Sequence, residues 1–133
     1  MKIRKINHKD VNQVISLLVR SFSPTYNNAL FSNNLTDPRC ITMVAELDRL
    51  IIGVASLYVI EKLTRKMGLI EDVAVDPNQR GKGIGKKLIE SLIEQSKEKG
   101  CDKTILSSSE KNIPFYEKIG FNANEIQMVL RNN

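Results

Sequence analysis

The sequence predicts a mixed α/β fold: a central, mostly antiparallel sheet of about six strands with a βαβ crossover, flanked by about four helices. Three observations carry that prediction. Two apolar runs rich in β-branched residues, over 41–46 and 50–60, meet at Asp48-Arg49 and make an antiparallel hairpin. A third run, Gly68-Leu69-Ile70-Glu71-Asp72-Val73-Ala74-Val75, passes through the turn Asp76-Pro77-Asn78 into Arg80-Gly81-Lys82-Gly83-Ile84-Gly85-Lys86 and then into an amphipathic helix. A strand over 102–107 follows that helix, so the second half of the chain closes a βαβ unit.

The remaining elements follow in order. Residues 1–6 alternate as a strand does, and Asn7 can cap a helix over 8–20, with Asp10 at its third position and Val11, Val14, Ile15, Leu18 and Val19 at helical spacing. Pro24, Pro38 and Tyr26-Asn27-Asn28 make 23–38 a loop holding a short helix over 29–33. Leu88, Ile89, Leu92 and Ile93 give the helix after the glycines one buried face, and Gly100 stops it. Asn112 precedes Ile113-Pro114-Phe115-Tyr116, where a proline in the first helical turn loses no hydrogen bond; Gly120 ends that helix. Residues 125–131 close the chain as a final strand.

The 133 residues, 41% hydrophobic and 26% charged, without linker or repeat, read as a single domain over 1–133. The N-terminal stretch lacks the apolar core of a signal peptide and no run approaches the ~18 apolar residues of a membrane span, so a cytoplasmic protein with no membrane partner is expected. Cys40 and Cys101 stand apart, with no Cys/His cluster near either, so reduced, buried thiols and no metal are expected. Net charge is +5, but the basic residues gather at Arg80, Lys82, Lys86 and Lys87 and otherwise mix with acids, and only 5% of residues are aromatic. That distribution argues against nucleic acid and for anionic small molecules. His8, on the first helix, reads as a surface residue.

The stretch from 80 to 86 is built as an anion site: glycines let backbone N–H groups turn inward, and the helix behind them adds its positive dipole end. Its spacing excludes the common nucleotide loops. Gly81 to Gly85 is one residue short of a Walker A loop, and Lys86 stands where a dinucleotide fingerprint needs its third glycine. What fits is R-x-x-G-x-G, from Arg80 through Gly83 and Gly85. This resembles the acyl-coenzyme A loop of the GNAT acetyltransferase superfamily. The strings Ile70-Glu71-Asp72-Val73-Ala74-Val75 and Glu110-Lys111-Asn112-Ile113-Pro114-Phe115-Tyr116-Glu117-Lys118-Ile119-Gly120-Phe121 extend the likeness over 61–131 to the glucosamine 6-phosphate N-acetyltransferase family.

The resemblance implies the GNAT fold, acetyl-CoA as the donor with coenzyme A as the product, and no metal. It implies that Gly81, Lys82, Gly83, Ile84, Gly85 and Lys86, with Arg80, wrap the coenzyme A diphosphate. Val73, Ala74 and Val75 would offer main chain to the cofactor on a splayed strand, the N–H near Val73 polarising the acetyl carbonyl. Tyr116 would protonate the departing thiolate, and Asn112 would contact the cofactor. Glu71 and Asp72 would meet the acceptor ammonium, although strand alternation lets only one of them face it.

For the acceptor's phosphate the resemblance implies Lys62, Arg65, Lys103 and Arg131, some supplied across a homodimer with shared active sites whose final strands interlock. Asp102 and Ser107 occupy acceptor-side positions where the family usually carries tyrosine and aspartate. The implied activity is direct acetylation of the 2-amino group of D-glucosamine 6-phosphate for UDP-GlcNAc biosynthesis. Ser107 keeps open another amine acceptor, such as a protein N-terminus, a polyamine or an aminoglycoside. A non-catalytic acyl-CoA-binding module is a further alternative, and Tyr116 argues against it.

Overall fold

The structure is a computed structural model and describes residues 1–22 and 28–133. Its sheet contains β1 (Lys2–Lys5), β2 (Cys40–Leu47), β3 (Leu50–Glu61), β4 (Lys66–Val75) and β5 (Cys101–Ile105), in that spatial order. Neighbours from β1 to β4 run antiparallel and β4 pairs with β5 in parallel. The β2–β3 hairpin turns at Asp48 (φ 50°) and Arg49 (φ 68°), two successive left-handed residues whose backbone twist matches that of the strands they join.

Four α-helices are present among the described residues: α1 (Val11–Phe22), α2 (Asn28–Thr36), α3 (Ile84–Glu98) and α4 (Ile113–Ile119). Helix α3 is the crossover between β4 and β5, and it buries Ile84, Leu88, Ile89 and Leu92 against Met43, Ala55, Leu57 and Ile70. It lies close to the strands because Gly68 leaves room: a Cβ there would stand 2.6 Å from Ser96 Oγ and 2.9 Å from Leu57 Cδ1. Ser96 is itself buried, and its hydroxyl accepts from Thr104 at 2.7 Å. The opposite face is covered by α1, whose Val14 and Leu17 pack on Val44, Ile51, Val54 and Ala74.

The start of α1 is tied to the sheet by charge. Asn7 accepts from the Lys9 N–H at 2.9 Å, and the buried Asp10 carboxylate accepts from the Asn7 N–H at 2.8 Å. Asp10 also takes two hydrogen bonds from the Arg4 guanidinium, at 2.7 and 2.8 Å, while Arg4 donates to Glu46 on β2 at 2.8 Å.

Two expectations are corrected. Helix α2 is longer than the predicted 29–33, because Phe31 joins the cluster under α1 and gives the segment an apolar anchor. The predicted final strand over 125–131 does not form, so the sheet has five strands among the described residues rather than about six. The alternation is present, with Ile126, Met128 and Leu130 at least 82% exposed, but a strand needs a ladder partner and there is none among the described residues. The loop expected over 23–27 lies outside the described residues.

Candidate active site

The β4–β5 ladder pairs Lys66, Met67, Gly68 and Leu69 with Cys101, Lys103, Thr104 and Ile105, and then stops. From Ile70 to Val75 the main chain of β4 keeps β3 on one side and has no β5 partner on the other. The sheet therefore opens along the stretch that carries Glu71, Asp72, Val73, Ala74 and Val75.

Within the opening, β4 bulges. Ser56 pairs with Glu71 and Val54 with Ala74, so Ala55 stands opposite both Asp72 and Val73. Asp72 adopts φ 57°, left-handed backbone that an aspartate tolerates better than most side chains. The extra residue changes which way the carboxylates point. Glu71 is directly opposite Ser56, hence on its face, and Ser56 and Asp72 line the same cavity of about 290 Å³ beneath α1 and α2. Strand alternation predicted that only one of Glu71 and Asp72 faces this side; the bulge places both there. Burial, and then the Asp72 charge, push the Glu71 carboxyl above its ordinary value.

Val73 and Val75 pack on the α3 face, with Tyr116, Ile119 and Phe121 against the same cluster. Beyond Val75, the Asp76 side chain accepts from the Asn78 N–H at 2.9 Å and starts a short 3₁₀ turn, Pro77–Gln79, that leads into the glycine loop. Gly81 (φ 80°) and Gly83 (φ 76°) are both left-handed. Gly83 sits at the N-cap of α3 without a side-chain cap, and the Lys87 N–H donates to its carbonyl at 3.1 Å. The amides ahead of Lys87 consequently have no intrahelical acceptor and lie at the positive end of a long helix. Arg80, Lys82 and Lys86 are exposed around them. Cationic side chains and free first-turn amides fit a diphosphate.

Helix α4 closes this side. A Cβ at Gly85 would lie 3.7 Å from Phe115 Cζ and 3.8 Å from Val75 Cγ2, so the end of β4, the first turn of α3 and α4 converge there. Tyr116 packs edge-on between Phe115 and Phe121, at centroid distances of 5.0 and 5.9 Å, and burial raises its phenol above the ordinary value. Asn112 caps α4 by backbone position but makes no side-chain capping bond.

The four cations do not gather in one chain. Lys62 and Arg65 lie in the β3–β4 connection, joined by a 2.8 Å bond from the Lys62 N–H to the Arg65 carbonyl, at the end of β4 remote from the glycine loop. Arg65 Nε stands 3.7 Å from Asp102 Oδ2 on the surface. Lys103 is exposed opposite Met67, and Arg131 is exposed on the C-terminal segment. Ser107 donates to Gln127 Oε1 at 3.0 Å, which ties that segment to the end of β5.

One side-chain contact at the site had no signal in the sequence. Tyr58 donates to Asp72 Oδ2 at 2.7 Å, across the bulge. In the sequence it is an aromatic residue in an apolar strand; only the register brings it to Asp72.

His8 is exposed, Cys40 and Cys101 are half-buried free thiols, no described helix is long and apolar enough to cross a membrane, and no group of three or more metal-ligating side chains occurs among the described residues.

The comparisons with known proteins agree with this geometry. A Trypanosoma brucei brucei protein named glucosamine 6-phosphate N-acetyltransferase is 58% identical over 83 residues, which is 60% of this chain and 56% of that protein. The chain spans about half the length of the first curated relatives it matches. A Trypanosoma brucei acetyltransferase crystal structure superposes with a TM-score of 0.87 at 40% identity, covering 98% of both chains. Glucosamine-6-phosphate N-acetyltransferase from Arabidopsis thaliana superposes with a TM-score of 0.88 at 33% identity, covering 99% of this chain and 98% of that one. The acetyltransferase (GNAT) family model matches residues 11–121. With the split sheet, the bulged β4 and the uncapped glycine loop at α3, this match establishes that the chain belongs to the GNAT acetyltransferase family.

Proposed function

We propose that this chain, as one domain over 1–133, transfers acetyl from acetyl-CoA to the 2-amino group of D-glucosamine 6-phosphate, releasing coenzyme A and N-acetylglucosamine 6-phosphate for UDP-GlcNAc biosynthesis. The observation that carries the reading is the open half of β4, which ends in the glycine loop and presents Glu71 and Asp72 together on the α1 face. The named relatives in Trypanosoma and Arabidopsis support the choice of acceptor.

Bound acetyl-CoA supplies an activated acetyl thioester. Arg80, Lys82, Lys86 and the amides of 81–86 hold its diphosphate, and the main chain of Val73, Ala74 and Val75 holds its acyl arm. The N–H near Val73 would be the donor to the acetyl carbonyl oxygen. Glu71, beside Asp72, takes the proton of the acceptor ammonium, which frees the amine to form the new C–N bond. Tyr116 would supply the proton that the departing sulfur needs and regain one from the nitrogen as the amide forms, and Asn112 would steady the cofactor from the start of α4.

The phosphate supports a dimer. Arg65 and Lys62 lie roughly 20 Å or more along β4 from Glu71, well beyond the span of one hexose ring. Some of these cations, with Lys103 and Arg131, would then serve the site of a second copy, and the exposed alternation of Ile126, Met128 and Leu130 supports exchange of the C-terminal segments. Ser107 favours a second reading, a different amine, because its uncharged hydroxyl stands where the family's aspartate would attract an ammonium.

Free-thiol release from acetyl-CoA decides between the readings, measured with glucosamine 6-phosphate, glucosamine, glucosamine 1-phosphate, spermidine and a peptide. Preference for the 6-phosphate is expected. Absence of turnover with it, or equal turnover of unphosphorylated glucosamine, overturns the acceptor assignment.

A further inference from the structure

Asp72 is an unusual residue to find in the middle of a strand with φ 57°. Among the described residues the other left-handed non-glycine positions, Asp48 and Arg49, sit in a hairpin turn where that geometry is needed. Something must hold the Asp72 side chain once the backbone has turned it toward the cavity. Among the described residues Tyr58 is the hydrogen-bond donor to it, at 2.7 Å to Oδ2. Tyr58 pairs in register with Leu69, so its phenol reaches diagonally across β3–β4 to Asp72 rather than to its direct neighbour.

The ring of Tyr58 lies among the residues that line the cavity. Tyr58 is half-buried in the cavity floor with Cys40, Thr42 and Ser56, and the Thr42 and Ser56 hydroxyls hydrogen-bond at 2.8 Å. Asp72 is the charged residue among those lining the cavity, and Glu71, opposite Ser56 in register, lies on the same face of β4 beside it. A phenol donor there satisfies one carboxylate oxygen of Asp72 and leaves the other for a cation.

We infer that Tyr58 is a positioning residue for amine recognition: its hydroxyl holds Asp72 in the rotamer that places its carboxylate beside that of Glu71, so that the two receive the acceptor ammonium together. This rests on the reading of Glu71 and Asp72 as the acceptor side of the site. Replacing Tyr58 by phenylalanine keeps the ring's packing and removes only the donor.

Steady-state kinetics of Tyr58→Phe, Asp72→Asn and the double variant, with glucosamine 6-phosphate and acetyl-CoA each varied, test this. Tyr58→Phe is expected to lower kcat/KM for the amine about tenfold or more, the size of one hydrogen bond to a charged acceptor. KM for acetyl-CoA should stay within about twofold, and the double variant should be no worse than Asp72→Asn alone. Amine kinetics within twofold of wild type, additive losses in the double variant, or equal weakening toward both substrates together with a lower melting temperature would overturn the inference. Failure of the acceptor assignment looks different, because the wild-type protein then prefers another amine of the panel. The Tyr58→Phe comparison is made on that amine, with the same expected and opposing results.

Discussion

Glu71 and Asp72, adjacent in sequence, share one face of β4 because Asp72 is left-handed and, with Val73, stands opposite the single residue Ala55. Two carboxylates on one face are costly to ionise together, and Glu71 carries the result: burial first, then Asp72, raise its carboxyl above the ordinary 4.5. A protonated Glu71 cannot accept the ammonium proton. Activity should therefore fall as pH decreases through that raised value, and Glu71→Gln should lower kcat by about 10²-fold. A pH–rate profile checks both; an unchanged kcat in the variant removes Glu71 from proton transfer.

Gly83 tests the cofactor loop through its backbone. Its φ of 76° disfavours any side chain, while a Cβ there would meet no atom within 4 Å, so the effect of Gly83→Ala is conformational rather than steric. The strain is about 1–2 kcal/mol. We expect KM for acetyl-CoA to rise about tenfold with little change in KM for the amine, read by thiol release. Gly83→Asn should be milder, because asparagine tolerates left-handed backbone.

Tyr116 is held between Phe115 and Phe121, and its raised phenol keeps its proton throughout the neutral range. Tyr116→Phe preserves both ring contacts. It should lower kcat by roughly 10²-fold without weakening acetyl-CoA binding, checked by kinetics and by direct titration of coenzyme A. An unchanged kcat assigns the leaving-group proton elsewhere.

Arg4 and Asp10 predict a stability effect remote from the chemistry. The Arg4 hydrogen bonds hold the Asp10 carboxyl below its ordinary 3.8, outweighing the opposing effect of burial. A depressed folded-state value stabilises the fold above the unfolded value and loses that contribution as pH falls through the folded one. Asp10→Asn should cost about 3 kcal/mol at neutral pH. In urea titrations the gap to wild type should narrow below about pH 4.

Ile126, Met128 and Leu130 predict assembly. Ile126→Glu with Leu130→Glu should convert a dimer to a monomer in sedimentation velocity and remove sugar phosphate turnover, while a monomeric wild-type protein would contradict shared sites. Arg131→Ala should raise KM for the phosphorylated sugar far more than for glucosamine.

Local pattern made much of this legible. Asn7 with Asp10, the Asp48-Arg49 turn, Pro114 in the first turn of α4 and Gly120 after it act within a few residues, and each stands where the sequence predicted. The glycine loop was equally readable, because its conformation follows from residues that tolerate positive φ. The final strand was not, since Ile126, Met128 and Leu130 carry a strand's alternation without a ladder partner among the described residues. Alternation describes one strand, while a ladder takes two.

By itself the sequence determined the order of the elements, the glycine loop with Arg80, Gly81, Gly83 and Gly85 at the start of α3, and the short helix around Tyr116, because these depend on periodicity, caps and backbone freedom over short spans. Tertiary structure alone decided that β4 parts from β5 after Leu69, that Asp72 joins Glu71 on one face, and that Tyr58 grips Asp72 across the bulge. Register between strands is set by packing from both faces of the sheet. A one-residue bulge within it redirects every side chain that follows, and no local pattern in β4 records that shift.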